Sequence, residues 1–177
     1  MSVALRPLEP GDEGAAVRWA ADPLFCQAAS WTVGLSPRVI RRHWAALIAG
    51  TQADFRRWGV TLDARLVGYV DLANLSTLSG ELGVAIGERS LWGQGVARRA
   101  CELLLQEAWE LGLHTVTAEV HRPNMRSHAL MRRLGFQQCG IRRPEPYYGV
   151  PVAVVQYVLK RQDRALSPSS ADTRTAG

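Results

Sequence analysis

The alternation of apolar and polar side chains predicts several β-strands. Residues 3–8 alternate in this way, as a strand does when one face packs on a core and the other meets solvent. Residues 55–62 and 66–72 predict two further strands, and the short turn at 63–65 between them predicts a hairpin. Residues 81–88 predict a fourth strand, so three consecutive strands occupy the middle of the chain.

Helical periodicity predicts four helices. The clearest boundaries belong to 36–50, because serine caps a helix, proline suits its first turn and glycine suits its exit. Residues 11–21 carry two acidic side chains near their start, which favours a helix N-terminus there. Residues 94–111 place small and apolar side chains on one stripe before Gly112, and residues 123–134 predict a shorter helix.

The remaining segments complete a mixed α/β pattern. Residues 114–120, 136–141 and 150–159 predict strands, so the order is strand, two helices, three strands, helix, strand, helix and two strands. Antiparallel neighbours before a helical crossover are typical of a mixed sheet. Residues 162–177 are rich in Ser, Ala and Thr without periodicity, so we expect a disordered tail after a folded domain at 1–161.

Length and composition restrict the class of protein. The chain has 177 residues, of which 47% are hydrophobic and 21% charged, values that suit one globular domain and exclude collagen, coiled coils and general disorder. No apolar run approaches the roughly 18 residues of a membrane span, and no secretory signal pattern opens the chain. Three cysteines without C-x-x-C spacing argue against a disulfide framework or a zinc site. We therefore expect a cytoplasmic protein that binds neither metal nor membrane.

The net charge is positive and rests almost entirely on arginine. Lysine and arginine number 21 against 16 acidic residues, which gives +5, and Lys160 is the sole lysine. Such a balance suits a nucleic acid, an acidic surface or a small polyphosphate as the partner. No recognition-helix or aromatic RNA-binding pattern accompanies it, so we expect no nucleic-acid partner.

A strand that runs into a glycine-containing turn and then into a long helix is the strongest chemical signal. Gly93 and Gly95 allow backbone N–H groups to approach an anion, and the helix N-terminus adds unpaired donors. A Walker A loop requires Lys and Ser or Thr where Val96 and Ala97 stand. A dinucleotide fingerprint requires a small residue where Arg98 stands. The turn predicts a different phosphate site, with an ordinary strand-to-helix turn as the alternative.

Four blocks around this turn follow one another in a characteristic order. They are ELGVAI at 81–86, WGQGVA at 92–97, LGLHTVTAEV at 111–120 and NMRSHALMRRLGF at 124–136. In order and spacing they resemble the GNAT superfamily of acetyl-CoA-dependent N-acetyltransferases, and most closely its ribosomal-protein, Rim-type branch. The resemblance covers roughly residues 3–160 and is specific over 81–143. Ser90 departs from it, because the family's phosphate loop begins there with Gln or Arg.

This resemblance implies a fold and a co-substrate. The implied fold is a GNAT-like mixed α/β structure, with a central twisted mixed sheet of about seven strands, about four flanking helices and a splay between strands at the acetyl-CoA site. The implied acetyl-CoA contacts are Val84, Ala85, Ile86, Leu91, Trp92, Gly93, Gln94, Gly95, Val96, Ala97 and Asn124. Asn124 also suits a simple helix cap. Arg89, Arg98 and Arg99 are candidates for the CoA phosphates or ordinary surface arginines.

The resemblance also implies direct attack of an amine on the thioester in a ternary complex, without an acyl-enzyme. Many members place an acidic tyrosine where Met131 stands, whereas the Rim-type branch uses a serine that matches Ser127. In that branch a glutamate in the loop between the last two strands activates the amine. Glu145 matches it, and Glu81 is the alternative base. We expect a backbone N–H in the strand at 84–86 to stabilise the oxyanion.

The acceptor implied by the resemblance is a primary amine. We expect a protein N-terminal amine, as in the Rim-type branch, with a small-molecule amine such as an antibiotic or polyamine as the alternative. A non-catalytic CoA-binding module is a third hypothesis. The sequence leaves open whether the protein forms a homodimer. The tryptophans of the N-terminal half either line an aromatic acceptor site or pack in the core. They are Trp19, Trp31, Trp44 and Trp58.

Overall fold

The computed structural model describes residues 2–162. Its elements are β1 (Val3–Pro7), α1 (Glu13–Ala20), α2 (Pro23–Ala28), α3 (Pro37–Ile48), β2 (Arg56–Leu62), β3 (Arg65–Ala73), β4 (Ser79–Ile86), α4 (Val96–Glu110), β5 (Thr115–His121), α5 (Met125–Arg133), β6 (Gln137–Tyr147) and β7 (Val150–Lys160). A single 3-10 turn, Arg89–Leu91, lies between β4 and α4. The predicted tail at 162–177 falls, apart from residue 162, outside these residues and stays a prediction.

Seven strands form one mixed sheet, as predicted. Its order is β1-β2-β3-β4-β5-β7-β6, so β1 to β4 form an antiparallel meander and β6 lies at the far edge. β4 and β5 are parallel, but they pair only where Ser79–Glu81 meets Thr115–Thr117. Beyond these residues β4 continues alongside β3, and β5 continues alongside β7. The two parallel strands therefore diverge, and the expected splay is present.

Two hydrophobic cores hold β4 between them. α4 and α5 contribute to the first core, in which Leu104 and Met131 are buried. α1, α2 and α3 contribute to the second, in which Trp19 is 3% exposed. Side chains alternate across a strand, so Leu82 of β4 packs in the first core and Ala85 in the second. Burial on both faces fixes the position of the strand whose free edge forms the candidate site.

The structure has five α-helices in residues 2–162, one more than the sequence predicts. The additional helix, α2, is only six residues long, too short to show a helical period. Its local signals are nevertheless regular, because Pro23 occupies the first turn and the Asp22 carboxylate accepts hydrogen bonds from two amides of that turn. None of the helices in the described residues is long and apolar enough to cross a membrane.

Hydrogen bonds and dihedral angles explain two predicted boundaries. Ser36 caps α3 by accepting a hydrogen bond from the Val39 amide, and Pro37 occupies the first turn, as predicted. In the β2–β3 hairpin, Asp63 and Ala64 have φ of +47° and +68°, so the turn has two residues rather than the predicted three. A two-residue turn with two positive φ angles matches the right-handed twist of the flanking strands.

β6 is longer than predicted, because it ends at Tyr147 and not at residue 141. Glu145 consequently lies in a strand, which corrects the prediction that it lies in a loop. Pro144 and Pro146 obscure this strand in the sequence, but proline is tolerated at a sheet edge, where β6 lies. A register shift between Arg142 and Glu145 interrupts the pairing beside the first proline. Two residues then connect β6 to β7.

Candidate active site

The divergence of β4 and β5 opens a cleft of about 380 Å³. One wall is β4 with the turn that follows it, the opposite wall is α5, and α2 and the end of β6 also contribute. All predicted site residues except Gln94 and Glu145 line the cleft: Val84, Ala85, Ile86, Leu91, Trp92, Gly93, Gly95, Val96, Ala97, Asn124 and Ser127. Sequence blocks that are separate in the chain therefore meet at one place.

β4 presents an unpaired edge to this cleft. Beyond Glu81 the strand pairs with β3 alone, so among residues 2–162 no second strand lies alongside Leu82 to Ile86. Trp92 uses part of the edge, because its indole N–H donates to the Ile86 carbonyl at 2.7 Å. A free strand edge can bind an extended, amide-containing chain by β-augmentation.

The turn after β4 presents a row of free amides. Within residues 2–162, five backbone N–H groups of the turn and the first helical residues have no hydrogen-bond acceptor, and they belong to Gly93, Gly95, Val96, Ala97 and Arg98. Gly93 and Gly95 have φ of +78° and +84°, a left-handed conformation that glycine adopts without strain. Gly95 is also the N-cap of α4, whose 15 residues direct a partial positive charge to this end. Physically, the arrangement is a phosphate cradle.

Gln94 shapes the turn and does not line the cleft. Its backbone amide donates to the Leu91 carbonyl at 3.3 Å. Its side-chain Nε2 donates to the Ser90 carbonyl at 2.6 Å. These two bonds close the turn, and neither uses the amides of Gly93, Gly95, Val96 or Ala97.

Three arginines line the cleft, and only Arg98 is among the sequence candidates. Arg126 and Arg133 lie on α5 and line the wall opposite the glycine turn. The sequence analysis missed them, although their seven-residue spacing places both on one helix face. The other two candidates do not line the cleft. Arg89 forms an ion pair with Asp22, and Arg99 shares the Glu102 carboxylate with Arg98.

Asn124 and Ser127 lie together at the start of α5. Asn124 is the N-cap, and its Oδ1 accepts a hydrogen bond from the Ser127 amide at 3.2 Å. Both residues line the cleft. Capping uses only the oxygen of the Asn124 side chain, so its Nδ2 can still donate to a ligand. The cap and the predicted cofactor contact are therefore compatible.

The two glutamates considered as general base do not line the cleft. Glu145 accepts a hydrogen bond from Arg142 at 3.2 Å, and Arg142 also donates to Glu119 at 2.5 Å. Glu81 lies where β4 and β5 diverge and accepts a hydrogen bond from Asn74 at 3.0 Å. The pKa of Arg142 is raised by its hydrogen bond to Glu119 and by the charges of the other two glutamates. We call Glu81, Glu119 and Glu145 the acidic cluster.

The amino-acid sequence matches a known protein family. A family model described as an acetyltransferase (GNAT) domain matches residues 2–137. The chain belongs to the GNAT acetyltransferase family. The enzyme class predicted from the sequence, an acetyl-CoA-dependent N-acetyltransferase, is thereby confirmed, as is the GNAT-like fold.

Solved structures of other acetyltransferases share the fold of this GNAT enzyme. Spermidine N-acetyltransferase from Vibrio cholerae, in complex with CoA and spermine, is 21% identical with a TM-score of 0.78, over 89% of this chain and 95% of that one. RimJ of Mycobacterium smegmatis, in complex with CoA-disulfide, is 22% identical with a TM-score of 0.79, over 93% and 85%. An uncharacterized Methanocaldococcus jannaschii protein is 35% identical over 74 residues, which span 42% of this chain and 15% of that protein.

The N-terminal tryptophans of this GNAT enzyme pack in or against the two hydrophobic cores and do not line its cleft. Trp19 and Trp44 lie in the second core, Trp31 packs against it, and Trp58 packs against the first. Trp31 donates its indole N–H to the Tyr69 hydroxyl at 2.8 Å and packs edge-to-face on Phe25, with ring centroids 5.1 Å apart. Phe25 does line the cleft. The second core therefore supports the cleft wall through Phe25.

Tyr147 is a cleft residue that the sequence analysis missed. It is the last residue of β6 and lines the same cleft as Asn124 and Ser127. Its ring stacks on the His121 imidazole, with centroids 4.7 Å apart and planes inclined by 17°. Burial raises the pKa of Tyr147 above its ordinary value. Because the sequence pattern ends the strand at residue 141, it gives no indication that Tyr147 reaches this site.

Proposed function

We propose that this GNAT enzyme transfers the acetyl group of acetyl-CoA to a protein N-terminal amine. The observation that carries the proposal is the row of free amides between Gly93 and Arg98 beside the unpaired edge of β4. Amides at a helix N-terminus suit a pyrophosphate, and a strand edge suits the amide groups of a pantetheine arm. Asn124 followed by Ser127, the Rim-type pattern, supports a protein N-terminus as the acceptor.

The cleft lining matches the two halves of CoA. Apolar side chains such as Leu91 and Val84 lie beside the strand edge, where the pantetheine arm would extend. Arg126 and Arg133 add positive charge to the α5 wall, which complements a ligand that carries several phosphate charges. The donor Nδ2 of Asn124 would contact a pantetheine carbonyl.

The reaction we propose is direct attack of the neutral amine on the thioester carbonyl. A backbone N–H of β4 between Val84 and Ile86 stabilises the oxyanion as the new N–C bond forms. Ser127 donates a hydrogen bond to the sulfur as the C–S bond breaks. Glu145 accepts through water the proton that the amine loses, and Glu81 is the alternative base.

A small polyamine is the second candidate acceptor, and the acidic cluster favours it. Three carboxylates share one guanidinium, that of Arg142, so the cluster keeps an excess of negative charge. Such an excess attracts a ligand with several ammonium groups. The acetyltransferase of Vibrio cholerae that was solved with spermine has the same fold.

An acceptor panel tests the proposed function. The enzyme is incubated with acetyl-CoA and either peptides that differ in their N-terminal residue or spermidine and spermine, and released CoA is quantified. We expect acetylation of the α-amine of the peptides, located by mass spectrometry. Transfer to polyamines with no transfer to peptides would replace the first candidate by the second.

Binding of CoA tests the donor site separately. A ligand at 100 times its Kd stabilises the folded state by about 2.7 kcal/mol, so millimolar CoA should raise the unfolding temperature measurably. No stabilisation at millimolar CoA would contradict the proposed function.

The two candidate bases are distinguished by Glu145→Gln and Glu81→Gln. Loss of the base lowers kcat/KM and removes the rise of activity with pH that deprotonation of the base produces. CoA affinity should stay unchanged in both variants, because neither side chain lines the cleft. We expect the loss in Glu145→Gln; a loss confined to Glu81→Gln would assign the base to β4.

A further inference from the structure

Among the residues that the structure describes, two with a hydroxyl group line the reaction cleft. They are Ser127 of α5 and Tyr147 of β6. Met131, by contrast, is 2% exposed and packs in the core beneath α5. A proton donor at the cleft must therefore come from one of the two hydroxyls or from solvent.

The ring of Tyr147 is fixed by two aromatic neighbours. It stacks on His121 and meets the Tyr148 ring edge-on, with centroids 4.6 Å apart and planes inclined by 79°. Backbone pairing with Val150 anchors the residue in the β6–β7 hairpin. Aromatic pairs of this kind restrict the orientation of a ring, so the phenol is held at the cleft at little further entropic cost.

The chemistry of the leaving group favours a phenol over an alcohol. Collapse of the tetrahedral intermediate expels a thiolate whose conjugate acid has a pKa of about 8.5, and a phenol has a pKa of about 10. General acids work best when their pKa lies near the operating pH, and a phenol lies much closer to it than an aliphatic alcohol does. A phenol is protonated at neutral pH and can donate; burial raises the pKa of Tyr147, so this phenol holds its proton more tightly than a free one.

We propose that Tyr147 is a catalytic residue whose phenol protonates the departing CoA thiolate. This inference rests on the proposed function. The amine forms the new C–N bond, the C–S bond breaks with its electron pair on sulfur, and the sulfur takes the phenolic proton. The amine gives up one proton to the base, and this proton returns through water to the phenolate, so that Tyr147 is protonated again. Ser127 keeps its hydrogen bond to the sulfur.

The substitution Tyr147→Phe tests this assignment, with Thr51→Val as the control. Phenylalanine keeps the ring and its stacking, whereas Thr51→Val removes an exposed hydroxyl that does not line the cleft. We expect kcat with acetyl-CoA to fall about 100-fold in Tyr147→Phe. The Kd for CoA, measured by calorimetry, and the unfolding temperature should stay unchanged. Thr51→Val should behave as the wild type.

A second donor distinguishes proton transfer from positioning. The acetyl thioester of 4-nitrothiophenol releases a much more acidic thiol, which leaves without protonation. We expect the deficit of Tyr147→Phe to shrink to within about threefold of wild type with this donor. An equal deficit with both thioesters, or a wild-type kcat with acetyl-CoA, would overturn the proposal. Inactivity of the wild type toward every amine, with CoA still bound, would instead overturn the proposed function.

Discussion

The guanidinium carbon of Arg126 lies 4.6 Å from the centroid of the Trp92 ring. Trp92 belongs to the glycine turn and is held by its hydrogen bond to the Ile86 carbonyl, whereas Arg126 is in the first turn of α5. Both residues line the cleft, so this cation–π contact joins its two walls. A ligand that enters between the walls meets the cation and the indole together.

Arg126→Ala should weaken CoA binding by about three- to tenfold, because it removes a cation–π contact and a positive charge from the cleft. Arg126→Lys should recover part of the affinity, since it keeps the charge but loses the planar stacking. Isothermal calorimetry with CoA at two salt concentrations measures both effects. Arg38→Ala, at an exposed position of α3 away from the cleft, is the control. Unchanged affinity in Arg126→Ala would show that the contact plays no part in binding.

A comparison of Gly95→Ala with Gly50→Ala distinguishes the backbone strain that alanine causes at a positive φ from a loss of CoA binding. Both glycines have positive φ, +84° and +63°, and an added Cβ would meet no atom within 4 Å at either position. Each substitution should therefore lower the free energy of unfolding by about 1–2 kcal/mol. Only Gly95→Ala should also raise the Kd for CoA, because Gly95 belongs to the amide row. Equal CoA affinity in the two variants would contradict the assignment of the phosphate cradle.

The cysteines offer a test of direct attack. Cys139 is exposed, Cys26 and Cys101 are buried, and none of them lines the cleft. Burial raises the pKa of Cys101 to about 12, which keeps its thiol protonated and unreactive. We expect a thiol reagent at pH 8 to label one cysteine in the native protein and all three after denaturation.

The variant Cys139→Ser should retain full activity, and mass spectrometry of the enzyme with acetyl-CoA alone should detect no acetylated cysteine. An acetyl group on any cysteine whose removal abolishes turnover would establish an acyl-enzyme.

The Arg6–Asp12 pair should make stability depend on pH in the acidic range. Burial would raise the pKa of Asp12, but hydrogen bonds from Arg6, both 2.8 Å, and from the Glu9 amide outweigh it and lower the pKa. A carboxylate with a depressed pKa stabilises the fold above its unfolded pKa of about 3.9 and loses this contribution as pH falls through the folded pKa. Asp12→Asn should therefore be less stable than wild type at pH 5–7.

Urea unfolding between pH 3 and pH 7 measures this difference, which should shrink below about pH 4. Asp54→Asn, at an exposed position, is the control. A difference that stays constant down to pH 3 would show that the pair contributes nothing through ionisation.

Sequence signals that span a few neighbouring residues predicted much of the fold. The errors arose where an element was too short for such a signal or depended on its place in the sheet. The cap at Ser36 and the glycine turn before α4 were identified correctly, because each depends on residues within one turn of the chain. α2 was missed because six residues cannot show a helical period. β6 was ended too early because Pro144 and Pro146 argue against a strand unless its place at the sheet edge is known.

The sequence by itself determined the order of the seven strands and of four of the five helices in residues 2–162, the turn with Gly93 and Gly95 and the cap at Asn124. Backbone dihedrals and short-range hydrogen bonds depend on neighbouring residues, so a sequence pattern carries them. Only the tertiary structure decided that Arg126 and Tyr147 line the cleft and that Glu145 pairs with Arg142 outside its lining. Those relationships depend on strand register and on packing between distant segments, where a side chain's position is decided by elements that no local pattern describes.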